Sequence, residues 1–347
     1  MKIDGVFEGG GVRGIAHVGA ICALAEKGYE WERVAGTSAG AIIAALVAAG
    51  YSCSELKTII TDIDYNKFTK KTFIDKIPFI GKGLSAWTTL GIYSNVFIEE
   101  WIEELLRKKG VHLFTDLPDL NKLKIIASDI SNGKMVVFPD DLPNYGFLNY
   151  RFSIAKAVRM SSTIPFFFEP VKWRTPKWKQ PCYMVDGGIL SNYPIWIFDS
   201  PTTPRWPTFG FHFVKDEIQA DPAHYNEPIS MFKGLFKTMM QAHDLRHLDK
   251  ESKARTITIP TGTITSTNFE LTKEEKEWLY NSGYNSANKF LQAWNFRQYI
   301  DEYRKGNQDR KTNRFFVNLT HNIITLRINT RTFNNLIINK SSNFLYY

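Results

Sequence analysis

Apolar positions along this chain fall into short runs and longer helical stretches that alternate. Ile3 to Phe7 is a short apolar run that predicts a strand, and it ends in Gly9-Gly10-Gly11-Val12-Arg13-Gly14. Val12 to Lys27 then carries helical spacing and stops at Gly28, a natural C-terminal breaker. Trp31 to Ala35 predicts a second strand, and Ser38 to Ala49 is apolar on nearly every face, as expected of a helix buried inside a larger protein. Strand, turn and helix, given twice in succession, are the signature of an α/β fold.

Downstream the pattern loosens between Ser52 and about Tyr93, which reads as an irregular or partly helical excursion. It recovers in an amphipathic helix over Asn95 to Lys109. Lys124 to Ser128 and Met135 to Phe138 flank the hairpin-like turn Ser131-Asn132-Gly133. Ser153 to Arg159 is expected to be helical, and Tyr183 to Val185 and Thr208 to Val214 to be strands. Thr272-Lys273-Glu274-Glu275 has the form of a capping box opening a helix through about Ile300.

Composition changes this picture in two places. The net charge of +8 is concentrated at the end: from Tyr303 onward eight basic residues stand against Asp309 alone, leaving about neutral charge on residues 1–302. We therefore expect one domain over 1–302 and a basic, Asn-rich segment over 303–347, and no nucleic-acid partner for the core. Cys22, Cys53 and Cys182 are odd in number, widely spaced and lack metal-type spacing, so neither a disulfide framework, a zinc site nor any other metal or cofactor is expected. That pattern and the missing export signal point to a cytoplasmic protein. The longest apolar run, Ala39 to Ala49, is well short of the roughly 20 residues that cross a bilayer.

Chemistry concentrates in three glycine-bounded segments. Gly36-Thr37-Ser38-Ala39-Gly40 places a serine between a strand and a helix. Small flanking residues there permit the sharp turn that exposes a nucleophile, although an ordinary helix N-cap has the same local form. A serine nucleophile needs a base, and none of the seven histidines sits in a turn resembling a catalytic loop. Asp186, at the end of a strand and followed by Gly187 and Gly188, is the better candidate, against the plain alternative of an Asp-Gly turn. Partial burial would raise its pKa and make it a stronger base. The glycine run fits an oxyanion hole built from backbone amides. It also matches a dinucleotide fingerprint, with Glu30 and Glu32 downstream, but those acids precede the second strand instead of ending it.

Taken in order, Gly9-Gly10-Gly11-Val12-Arg13-Gly14, the Gly36–Gly40 elbow and Asp186-Gly187-Gly188 resemble the patatin-like phospholipase family. The segment Ala157 to Pro165 resembles the family's helix and small-residue turn ahead of the aspartate. The resemblance covers about residues 3–200. It implies a three-layer α/β/α sandwich around a mainly parallel sheet, and a lipid acyl hydrolase needing no cofactor. In that reading Ser38 is the nucleophile, Asp186 the base, and the amides around Gly10, Gly11 and Val12 the oxyanion hole. Phospholipids or lysophospholipids are the expected substrates, with peripheral contact at a membrane surface. An acyltransferase on the same pair, or a nucleotide-binding or inactive scaffold, are the alternatives. Within this frame Phe166-Phe167-Phe168 is either an acyl-pocket wall or plain core. Lys172-Trp173-Arg174 with Lys177-Trp178-Lys179 is either a membrane contact or a solvated hairpin with structural tryptophans, and Lys67 to Lys82 is a candidate lid.

Overall fold

A computed structural model of the chain describes residues 1–63, 90–214, 231, 234, 238, 249–266, 268 and 270–305. The expected lid at 67–82 and nearly all of the basic segment lie outside them. The chain divides into two compact units, one of Met1–Asp199 with Trp206–Trp294 and one of Ser200–Arg205 with Asn295–Tyr347.

The first unit is built on a sheet of eight strands: β1 Lys2–Phe7, β2 Glu30–Thr37, β4 Leu123–Asp129, β5 Lys134–Phe138, β7 Val171–Trp173, β8 Cys182–Asp186, β9 Thr208–Val214 and β10 Thr256–Pro260. They are ordered β10-β9-β1-β2-β4-β8-β7, with β5 paired to β4. Neighbours from β10 to β4 are parallel, whereas β5, β8 and β7 are added antiparallel. The short strands β3 Gly91–Tyr93 and β6 Phe166–Phe168 pair separately. A mixed α/β fold with a mainly parallel central sheet flanked by helices is thus present.

Alternation in β1 shows how the sequence selects the two faces. Ile3 and Phe7 enter the large core shared with the helices, while Val6 joins Ala35, Tyr193, Ile195 and Phe198 on the opposite face. Asp4, on that opposite side, is buried but satisfied by Arg33 Nη2 (2.5 Å) and Trp206 Nε1 (2.9 Å). The helical layer comprises α1 Gly14–Glu26, α2 Ala39–Ala48, α3 Cys53–Thr61, α4 Val96–Lys108, α5 Ile154–Ser161 and α7 Lys273–Ala293, with a short α6 at Lys250–Ala254. In α4, Ile98, Ile102, Leu105 and Leu106 are the buried stripe. No helix among the described residues is long and apolar enough to cross a membrane.

Three expectations are corrected, and three strands were not anticipated. Thr272 and Glu275 do form the capping box, but α7 stops at Ala293. The Asn295 side chain accepts the Gln298 amide and starts a separate short helix, α8 Phe296–Tyr299, in the second unit. β6, β7 and β10 are strands that the hydrophobic pattern does not announce. Cys22 and Cys53 are disulfide-bonded, because packing of α1 against α3 brings together residues 31 apart in sequence, while Cys182 is free and buried. The proposed tryptophan contact loop does not present its tryptophans: Trp173 is fully buried against Tyr145, Phe138, Phe147 and Phe152, and half-buried Trp178 lies edge-on to Tyr145.

Candidate active site

Strand β4 is the platform on which the two candidate residues meet. Along it, Ile126 pairs with Thr37 at the end of β2, and the next residue, Ala127, pairs with Asp186 at the end of β8. The two strands therefore meet end to end at adjacent positions of β4. Beyond Asp186 the chain must turn, since the next register position is occupied. A Cβ on Gly187 would lie 2.2 Å from Ile126 O and 2.9 Å from Thr37 Cγ2, so only glycine fits this turn without displacing backbone.

Ser38 follows Thr37 directly and adopts φ 55°, ψ −123°, a backbone conformation that costs a non-glycine residue about 1–3 kcal/mol. The strain turns its side chain away from α2, so that Ser38 caps no amide of that helix. Instead Ser38 Oγ donates to Asp186 Oδ2 at 2.7 Å. Asp186 is buried and its Oδ1 accepts the Gly188 amide at 2.8 Å. Burial raises its pKa from 3.8 to about 6, against the opposing pull of the hydrogen bonds from Ser38 and Gly188. The carboxylate is ionised at neutral pH yet far more basic than a solvated one.

The C-terminal end of α5 braces both residues. Ser161 Oγ accepts the Ser38 amide (2.8 Å) and donates to Ile126 O (2.5 Å), while Thr163 O accepts the Asp186 amide (2.7 Å). Asn95 Nδ2 in turn donates to Thr163 Oγ1 (2.7 Å). None of these roles was assigned from the sequence. The small-residue turn containing Ser161 and Thr163 was visible, but its bonding depends on strands distant in the chain.

The glycine run passes over Ser38, close enough that a Cβ on Gly9 would sit 3.2 Å from Ser38 Cβ. Gly11 has φ +56°, and Gly11–Arg13 forms a 3-10 turn into α1. Here the expected donor set narrows. The Gly9 amide donates to Asn192 O (3.1 Å), Arg13 to Gly10 O (3.2 Å), Gly14 to Gly11 O, and Val12, contrary to expectation, to Ser266 O (3.2 Å). The amides of Gly10 and Gly11 have no acceptor among the described residues. Arg13 anchors the loop, with Nε on Gly10 O and its guanidinium 5.0 Å from the Phe213 ring centre.

Behind the loop lies a polar cluster that sequence reasoning missed. The Glu8 carboxylate accepts Asn192 Nδ2 (2.9 Å) and the Phe213 amide (2.5 Å) and lies 2.9 Å from His212 Nδ1. Burial alone would raise the Glu8 carboxyl; His212, Arg13 and the Phe213 amide together hold it below its ordinary value. His17 is buried, with Nε2 2.9 Å from Glu8 O, and burial lowers its pKa to about 4, which keeps it neutral. Among the described residues no histidine bonds to Ser38. Glu30 and Glu32 lie at the opposite end of β2 from the glycine run.

Ser38 opens onto an apolar cavity. Its walls are mainly Ile15, Ile42, Ile43, Ile60, Ile98 and Ile164, with Trp101 and Phe168. Of the three phenylalanines, Phe168 serves as wall and Phe166 is exposed.

Comparison with known proteins fits this geometry. Residues 5–199 match the family model described as patatin-like phospholipase. The chain belongs to the patatin-like phospholipase family. With that membership it is placed among lipid acyl hydrolases. The uncharacterized protein YqhO of Bacillus subtilis is 41% identical over 296 residues, 85% of this chain and 100% of that protein. A probable lipid hydrolase, 463L of invertebrate iridescent virus 6, is 26% identical over 196 residues, 55% of this chain and 61% of the viral one. Among solved structures, VipD from Legionella pneumophila superposes with a TM-score of 0.52 at 18% identity, covering 84% of this patatin-like chain and 66% of VipD; the likeness is one of fold.

Proposed function

We propose that this patatin-like protein hydrolyses fatty-acyl esters of phospholipids or lysophospholipids through a Ser38–Asp186 dyad and an acyl-enzyme. The observation that carries the reading is the 2.7 Å hydrogen bond to the buried Asp186 carboxylate from Ser38 Oγ, whose residue lines an apolar cavity. Ser38 Oγ attacks the ester carbonyl carbon as its proton passes to Asp186 Oδ2. The carbonyl oxygen becomes an oxyanion facing the Gly10 and Gly11 amides, each such donor lowering the barrier by about 3 kcal/mol. The N-terminus of α2 adds its partial positive charge. When the ester C–O bond breaks, Asp186 returns the proton to the departing alcohol, leaving the acyl group on Ser38. Water then attacks, gives a proton to Asp186, and the released serine recovers it.

The isoleucine-rich walls suit an acyl chain, because each methylene moved out of water contributes about 0.8 kcal/mol. The test is fatty-acid release from vesicles of phosphatidylcholine or lysophosphatidylcholine. Ser38→Ala and Asp186→Asn should each abolish release while circular dichroism stays unchanged; full activity in either folded variant removes the dyad.

A further inference from the structure

Ser162 carries an unexplained hydroxyl. It caps the C-terminus of α5, its Oγ is buried and has no hydrogen-bond partner among the described residues, and it lines the cavity beside Ser38. A buried hydroxyl without a partner costs about 1–3 kcal/mol. Among the described residues of that wall, and apart from the Trp101 indole, the polar side chains are Ser38 and Ser162. The position is also specific. Its neighbours on either side bond the dyad, Ser161 Oγ taking the Ser38 amide and Thr163 O the Asp186 amide.

We propose that Ser162 Oγ holds the hydrolytic water against Asp186 during deacylation. The assignment rests on Ser38 being the acylated residue. In the free enzyme Asp186 Oδ1 accepts from Gly188 and Oδ2 from Ser38. Once Ser38 is acylated it has no proton to donate, and Oδ2 becomes free to accept one from water. A water in an otherwise apolar cavity needs at least two polar partners to be held, and a serine hydroxyl both donates and accepts. Ser162 supplies the second anchor. The water oxygen then forms the bond to the acyl carbon and its proton passes to Asp186. The C–O bond to Ser38 breaks as that proton moves on to Ser38 Oγ.

The experiment separates the two half-reactions with p-nitrophenyl dimethylcarbamate, whose phenolate departs without needing a proton and whose carbamoyl-enzyme is hydrolysed slowly enough to follow by intact mass. Wild-type protein should first gain one carbamoyl group on Ser38; if it gains none, the Ser38 reading fails and this assignment with it. Given that adduct, Ser162→Ala should carbamoylate within about twofold of the wild-type rate but lose the group about threefold to tenfold more slowly, the effect of one hydrogen bond. Ser162→Thr, which keeps a hydroxyl, should recover most of the hydrolysis rate. The thermal midpoint of Ser162→Ala should equal or exceed wild type, because the hydroxyl it removes has no protein partner among the described residues. Equal slowing of both half-reactions, unchanged hydrolysis, or a lowered midpoint would each overturn the assignment to Ser162 while leaving Ser38 standing.

Discussion

Replacing Asp186 by Asn should make the protein more stable at neutral pH while destroying its activity. In the native state the Asp186 carboxyl has a pKa raised from 3.8 to about 6, because burial penalises its charge. A raised carboxyl pKa means that between about pH 4 and pH 6 the native state holds a proton that the unfolded chain has released. Stability therefore falls as pH rises through that window, by about 1.36 kcal/mol per unit of pKa difference, or about 3 kcal/mol in all. The substituted carboxamide has nearly the same shape, can still accept the Gly188 amide, and carries no charge to desolvate. The difference in unfolding free energy, variant minus wild type, should grow by about 3 kcal/mol between pH 3 and pH 7. Urea titrations of both proteins at half-unit pH steps measure it, and taking the difference cancels every group the two share. A difference that stays flat, or shrinks with rising pH, would refute the claim that Asp186 is a buried base of raised pKa.

Three further outcomes follow from the same geometry. The kcat/KM for a soluble ester should fall tenfold per pH unit below an apparent pKa near 6, as the base of the free enzyme is protonated; a flat profile from pH 5 to 8 contradicts it. Gly36→Ala and Gly40→Ala should each lose activity and about 3 kcal/mol or more of stability, since their Cβ atoms would sit 2.1 Å from Gly40 O and Phe7 O, whereas Gly14→Ala, whose nearest neighbour would be 3.5 Å away, should remain folded in the same denaturation assay. Ile42→Trp should fill the cavity beside Ser38 and lower kcat/KM for a long-chain ester about tenfold relative to an acetyl ester, the value of roughly two methylenes excluded from the cavity.

Much of the site was legible in the sequence because its parts are local turns. A serine or aspartate placed at the end of a strand beside glycines announces a tight bend whatever surrounds it. What joins the bends was not legible: that β2 and β8 meet end to end on β4 is a matter of register between segments some 150 residues apart. Val12 was misread for a related reason, since its amide is occupied by Ser266, far along the chain. The two readings of Trp173 stayed open in the sequence because lysine beside tryptophan has the same composition at a lipid interface and at the edge of an aromatic core; the rings of Tyr145, Phe147 and Phe152 decide between them. The Cys22–Cys53 link likewise depends on packing of α1 against α3, which spacing alone does not show.

The most direct measurement is peptide mass spectrometry of the enzyme acid-quenched during turnover of a long-chain p-nitrophenyl ester, comparing wild type with Asp186→Asn. The account predicts one acyl group, on Ser38, in wild type and none on that residue in the variant. Acyl mass on any other residue, or undiminished acylation of Ser38 when Asp186 is replaced, would contradict it.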